Sequence, residues 1–289
     1  MLIVHLSDLH LMPGHQLAYA AADTRTFFQQ TIQAVLQLRP FPDVVLITGD
    51  IADKGAAGSY ENARKLLSKL NCPVFLVPGN HDHKDALLEA FPELSLQLVR
   101  LKDNPTTTIC YAIEDFPVKL IGLDSVIPWQ HGGGLDPRQL AWLDETLDRL
   151  SGLPCLIFMH HPPFASGIDH MDQEPFQRVA AFKTIIKKHP QVQRILGGHL
   201  HRSVTRNFAG TTACVAPGVG MQLVLDLSSG APSQFILEPP AYLLHTLVSS
   251  WNDQTTLTTH HALVPLEPDQ FGQPKPFFDV SFATGKADI

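Results

Sequence analysis

The chain has 289 residues, 44% hydrophobic and 17% charged, which supplies a sizeable core and excludes wholesale disorder. A formal net charge of −7 with no Lys/Arg cluster excludes a groove for a nucleic-acid polymer. There is no basic leader, no apolar run of about 18 residues and no C-x-x-C pair among the 4 Cys, so a soluble cytoplasmic protein with free thiols and no membrane partner is expected.

In chain order, residues 2–7 read as a strand. Asp23 is placed to cap a helix carrying Phe27, Phe28, Ile32, Val35 and Leu36, which Pro40 and Pro42 close. Strand Val44–Thr48 follows, then a helix capped by Ser59 and running through Leu70, with Ala63, Leu66, Leu67 and Leu70 inward. Strand Val74–Val77 leads into helix Lys84–Ala90. This β-α-β-α-β rhythm predicts an α/β fold with a parallel sheet covered by helices. Residues 106–113 and 119–124 flank Glu114-Asp115-Phe116-Pro117 and read as an antiparallel hairpin. Asp136-Pro137 supplies a cap and a first-turn proline for a helix bearing Leu140, Leu143, Leu147 and Leu150. A strand over 155–159, a helix over 174–188 and strand Val192–Gly197 come next. Strand-like runs then follow at 203–208, 211–216, 235–237, 242–249 and Thr255–Leu263. From Pro265 the chain reads as an extended, proline-rich tail.

Five apolar runs end in side chains that bind metals: Asp8-Leu9-His10, Gly49-Asp50, Gly79-Asn80-His81-Asp82, His160-His161-Pro162 and Gly198-His199-Leu200-His201. In open α/β sheets, ligands collect beyond the carboxyl ends of the strands. Asp8/His10 and His199/His201 stand at i and i+2, a spacing that puts both side chains on one face of an extended backbone. Carboxylate with imidazole suits Zn, Mn or Fe better than Mg or Ca. A bridging carboxylate such as Asp50 can serve two ions, and the donors outnumber what one ion needs. Asn80 and His81 are neighbours on a tight loop, so their side chains are expected to diverge. Singly, each motif also reads as a turn or a cap; jointly, they point to a metal centre. Competing chemistry is poorly supplied: no G-x-S-x-G elbow and no G-x-x-x-x-G-K-[ST] loop occur, and Gly132-Gly133-Gly134 reads as a flexible loop.

The order D-x-H, G-D, G-N-H-D, H-x-P, G-H-x-H resembles the calcineurin-like metallophosphoesterase superfamily over residues 2 to about 205. Met159-His160-His161-Pro162-Pro163, and Asp124-Ser125 followed by Gly134-Leu135, Gln139 and Trp142-Leu143, resemble its class III cyclic nucleotide phosphodiesterases and their bacterial glycerophosphodiesterase relatives. The resemblance implies a four-layer α/β/β/α sandwich of mixed sheets with ligands at the strand ends. It implies a catalytic domain over 1–250, then a C-terminal strand and tail over 251–289 acting as a lid or oligomerisation segment in a homo-oligomer. Two metal ions (Fe, Mn or Zn) would be held, one by Asp8, His10, Asp50 and His201, the other by Asp50, Asn80, His160 and His199. His81 would face the substrate phosphate, and His161 would belong to the catalytic pocket with Asn80. The implied activity is hydrolysis of small phosphodiesters by metal-generated hydroxide. The first expectation for substrate is a 3′,5′-cyclic nucleotide, and the alternative a glycerophosphodiester or a broader range. A non-catalytic scaffold is the less favoured reading. Asp82 in place of glutamate and Lys54 in place of arginine separate the chain from the protein Ser/Thr phosphatases. Val219-Gly220-Met221 stands where glycerophosphodiesterase relatives often carry a histidine.

Overall fold

The computed structural model describes residues 1–95, 108–249 and 255–264. Strands β1 (Leu2–Leu6), β2 (Val44–Thr48) and β3 (Val74–Val77) run parallel, joined by helices α1 (Thr24–Leu36) and α2 (Ala57–Leu67). Helices α3 (Lys84–Ala90) and α4 (Pro92–Ser95) follow β3. A second sheet is built from β4 (Tyr111–Ile113), β5 (Lys119–Gly122), β6 (Cys155–Phe158), β7 (Val192–Gly197), β8 (Val204–Phe208) and β9 (Thr211–Val215), in the order β4-β5-β6-β7-β9-β8. Its four inner strands are parallel, and its two outer strands run antiparallel to their neighbours. Helices α5 (Pro137–Arg149) and α6 (Val179–Lys188) cover it. A small ladder pairs β10 (Gln222–Leu223) with β11 (Phe235–Ile236). The chain then returns to the first sheet as β12 (Ala241–Ser249) and β13 (Thr255–Leu263), giving the order β13-β12-β1-β2-β3.

The layering follows from the two-residue period of the strands. Along β6, Leu156 and Phe158 face the core shared with the first sheet, where Ile3, Leu46 and Leu76 lie. Cys155 and Ile157 face the opposite way, onto Leu143 and Leu147 of α5 and Phe182 and Ile186 of α6. On the far side of the first sheet, Phe28, Ile32 and Val35 of α1 and Ala63 and Leu66 of α2 complete the core. The result is the expected α/β/β/α sandwich. The carboxyl ends of β1, β2, β3, β5, β6 and β7 all open toward one edge, where the strand-end motifs meet.

Some local expectations fail for identifiable reasons. Ser59 is not a cap: α2 starts two residues earlier, at Ala57, and the Ser59 hydroxyl is buried without a hydrogen-bond partner. Helix α6 begins at Val179 rather than near Glu174. The intervening backbone is already used, since Gln177 N donates to Gly133 O (2.7 Å) and the Glu174 carboxylate accepts from Gly132 N (2.8 Å). Neither α4 nor β10 is signalled by periodicity, being too short to show one. Strand β13 pairs with β12 along nine register positions and so joins the first sheet. The expected proline-rich tail from Pro265 lies outside the described residues.

Candidate metal centre

All seven expected ligands converge at the edge where the strands end, but not by the expected backbone. Asp8, His10, Asp50, His199 and His201 all have positive φ, between 43° and 71°. Strand β1 stops at Leu6, so Asp8 and His10 share a site through left-handed turns rather than through a strand pleat. Left-handed residues other than glycine are strained, and surrounding contacts must hold them. Here Asp8 N donates to Gly49 O (3.1 Å), His10 N to Asp50 O (2.9 Å) and Gly220 N to Asp8 O (3.0 Å). Gly79 is required by close approach: a Cβ there would lie 2.1 Å from Asp50 Oδ1.

One donor set is Asp8, His10, Asp50 and His201, with one ligand atom from each lying within 4.8 Å of the others. His10 Nε2 is 3.1 Å from His201 Nε2 and 3.5 Å from Asp50 Oδ2. His201 Nδ1 donates to Met221 O (2.9 Å), and His10 Nδ1 faces Asp53 Oδ1 (3.4 Å). With each Nδ1 carrying its hydrogen, both neutral Nε2 atoms present lone pairs to each other and to two carboxylates. In the second set, His160 Nδ1 donates to Thr48 O (2.7 Å), which leaves its Nε2 bare at 3.1 Å from Asn80 Oδ1 and 3.4 Å from Asp50 Oδ2. His199 sits beside it, ring centroids 5.1 Å apart. Converging acceptors with no hydrogen between them fit cations. Burial alone would lower His160, yet the Asp50 and Asp8 carboxylates outweigh it and raise the ring to about 9. Burial pushes Asp50 up, but His160 and His10 pull it well below the usual carboxylate range. Burial raises Asp8 to about 6 and lowers His201 to about 4.

Asn80 and His81 diverge as expected. Asn80 turns its oxygen to His160, whereas the His81 ring turns the other way, its Nδ1 3.1 Å from Asp53 Oδ1. His81 also anchors through its backbone N–H to Asp50 Oδ1 (2.9 Å), and it lines a cavity of about 1010 Å³. Burial works against a charged His81, but the Asp53 hydrogen bond and the Asp50 charge raise it. Asp82 ties the loop down: its carboxylate accepts from Gly79 N (2.9 Å), Ala52 N (3.0 Å), Ile51 N (3.2 Å) and the Tyr60 hydroxyl (3.1 Å).

His161 departs from the catalytic expectation. Its Nδ1 accepts from the Ser125 hydroxyl (2.9 Å) and its Nε2 donates to His131 O (3.1 Å), so neither nitrogen is left for a substrate. Two residues of the site carry no clear motif. Asp53 holds both His10 and His81, and its only signal is its place three residues after Asp50. Tyr19 sits with its ring 6.3 Å from His10 and packed on Phe235 (5.6 Å). Burial and the Asp53 and Asp50 charges push its hydroxyl up to about 12. It follows from a turn that periodicity does not show. Residues 219–222 contribute backbone: Met221 O fixes the hydrogen on His201.

The family described as calcineurin-like phosphoesterase matches residues 1–203. The chain belongs to that family. It is therefore a hydrolytic metallophosphoesterase, of a family that uses a dinuclear metal centre, and its relatives place it among phosphodiesterases. It is 33% identical over 283 residues to a probable glycerophosphodiester phosphodiesterase, GpdQ, of Arcobacter nitrofigilis, covering 96% of this chain and 97% of that one. It is 24% identical to the 3′,5′-cyclic adenosine monophosphate phosphodiesterase CpdA of Escherichia coli K12, covering 92% of each. In fold it resembles a dimetal phosphatase from Danio rerio, with a TM-score of 0.60 at 15% identity, covering 89% of this chain and 98% of that one. Among the described residues, no helix is long and apolar enough to cross a membrane.

Proposed function

We propose that the protein hydrolyses small phosphodiesters at two divalent cations, one held by Asp8, His10, Asp50 and His201 and the other by Asp50, Asn80, His160 and His199. The observation that carries this is the convergence of bare acceptors, above all two Nε2 lone pairs 3.1 Å apart. Two cations there would neutralise phosphoryl oxygens and lower the pKa of water toward neutrality. Asp50 lies between both donor sets, 3.5 Å from His10 Nε2 and 3.4 Å from His160 Nε2, and would help to hold both cations. Asp53 fixes the His81 Nδ1 side, so the other ring nitrogen is turned to the cavity, where it donates to a phosphate oxygen as negative charge grows. His161 positions rather than reacts, holding the backbone at His131.

The substrate favoured by the geometry is a 3′,5′-cyclic nucleotide, because the cavity beside Asn80 and His81, about 1010 Å³, far exceeds the needs of a glycerol group. The second reading, a glycerophosphodiester, rests on the 33% identity over 96% of this chain to the relative so named. Side-by-side kinetics with cyclic AMP and glycerophosphoethanolamine test the choice: a higher kcat/KM for cyclic AMP is expected, and the reverse order overturns it. Metal analysis after loading with Mn or Zn tests the centre itself. About two ions per chain are expected, and fewer than about one sinks the two-cation reading.

A further inference from the structure

The segment 126–134, between β5 and α5, is pinned along its base. Gly134 N donates to Ser125 O (3.0 Å) and Gly132 N to the Glu174 carboxylate (2.8 Å). Gln177 N donates to Gly133 O (2.7 Å), its side-chain amide donates to Gln130 Oε1 (2.7 Å), and His161 Nε2 holds His131 O (3.1 Å). The glycine run read from the sequence as flexible is instead a packing requirement: a Cβ on Gly133 would lie 2.2 Å from the His161 ring. On this fixed base, two rings project. His131 packs on His199, centroids 4.5 Å apart. Trp129, two residues away, is fully exposed and has φ of 65°. A bulky aromatic in the left-handed region is strained, and such strain gathers at ligand sites.

Both rings line the cavity that holds Asn80 and His81. Most carboxylates of that cavity are already engaged. Asp82 accepts the loop amides described above, Asp124 pairs with Lys84 (2.6 Å), and Asp136 caps α5. Among its lining, the cavity offers a ligand an exposed indole face and an imidazole that packs on His199 of the candidate centre.

We infer that Trp129 and His131 form a subsite for a flat heteroaromatic ester group, with Trp129 stacking on the base of a nucleotide-sized diester and so setting specificity. This rests on the diesterase reading of the neighbouring centre. Stacking is sequence-tolerant because every base has a π face, so purine and pyrimidine nucleotides are both accepted.

The test uses the full-length, Mn-loaded protein with Trp129→Ala and Trp129→Phe. The chain has three tryptophans, so intrinsic emission reports on this one by difference. Adenosine 5′-monophosphate quenches the wild type, the quench is lost in both variants, and inorganic phosphate, which has no base, does not reproduce it. In kinetics, Trp129→Ala raises KM for cyclic AMP about tenfold with little change in kcat, Trp129→Phe restores most of the loss, and glycerophosphoethanolamine turnover is unchanged. Equal losses on both substrates, or a quench by the nucleotide that persists in Trp129→Phe, overturn the inference. A protein that turns over neither diester yet shows the Trp129-dependent quench keeps the subsite and refutes the diesterase reading.

Discussion

The donors of the centre are among the most legible residues of the chain, because carboxylate and imidazole cluster after apolar runs. Their backbone is not legible. Hydrophobic pattern predicts where a strand stops, but nothing in Asp8-Leu9-His10 announces that both donors adopt left-handed φ. The i, i+2 spacing points to a pair that the structure does bring together, but through left-handed turns rather than a strand pleat. Asp53 and Tyr19 escape notice for a related reason: their roles depend on tertiary proximity to His10, which no local spacing encodes. The separation of Asn80 from His81 yields a paired prediction. Asn80→Ala removes a donor beside His160, so bound metal falls from about two ions toward one and turnover falls with it. His81→Ala removes a ring that faces the cavity, so metal content stays near two while kcat drops by about 10²–10³. Metal analysis alongside turnover of bis(p-nitrophenyl) phosphate separates the two, and identical metal loss in both variants refutes the division of labour.

At the scale of elements, legibility followed the strength of local signals. Strands β2, β3, β7 and β13 and helix α3 have the expected bounds, since β-branched runs and turn residues frame them. Helix α6 is shorter than its periodicity because its would-be first turn is spent on the 126–134 segment, a long-range competition that local pattern cannot reveal. Helix α5 shows a strong local signal obeyed in full. Asp136 Oδ1 accepts from Arg138 N (2.7 Å) and Gln139 N (2.9 Å), while Gln139 Oε1 accepts from Asp136 N (2.8 Å). Pro137 occupies the first turn, where its missing N–H costs nothing. The reciprocal cap also reaches the cavity, as Gln139 Nε2 donates to Asp124 O (2.6 Å), two residues beyond β5. Asp136→Ala should lower stability by about 1 kcal/mol. A denaturant titration measures it, with Asp136→Asn expected to recover most of the loss; an unchanged midpoint in the alanine variant refutes the cap's contribution.

At the scale of the whole molecule, the candidate ligands come from both sheets, so the sheets must keep their relative position for the proposed centre to form. Apolar packing supplies most of that, but a buried polar line also runs along the first sheet and is met from the second. Thr48 Oγ1 meets His5 Nε2 (2.9 Å), His5 Nδ1 meets His245 Nε2 (3.3 Å), and His245 Nδ1 meets Thr259 Oγ1 (2.9 Å). From the second sheet, β7 presents Gly197 to His5 and the Arg194 guanidinium to His245, and Arg194 also donates to Leu257 O on β13. Burial pushes His5 down to about 3 despite the Gly197 backbone, and burial, then His5 and Arg194, hold His245 well below the ordinary imidazole range. Both rings are therefore neutral when folded and free to take a proton, near pH 6.5, only when unfolded. Above that pH the two states bind equally few protons and nothing is lost. As pH falls below it, the unfolded chain binds more, so each ring subtracts about 1.4 kcal/mol of stability per pH unit until its folded value is reached. His245→Gln removes one of these protons from the unfolded state. Its stability, measured by denaturant on metal-stripped protein, should therefore fall less than the wild type's between about pH 7.5 and pH 5.5, by about 1.4 kcal/mol. Parallel losses in the two proteins would show that His245 is not held neutral between the sheets.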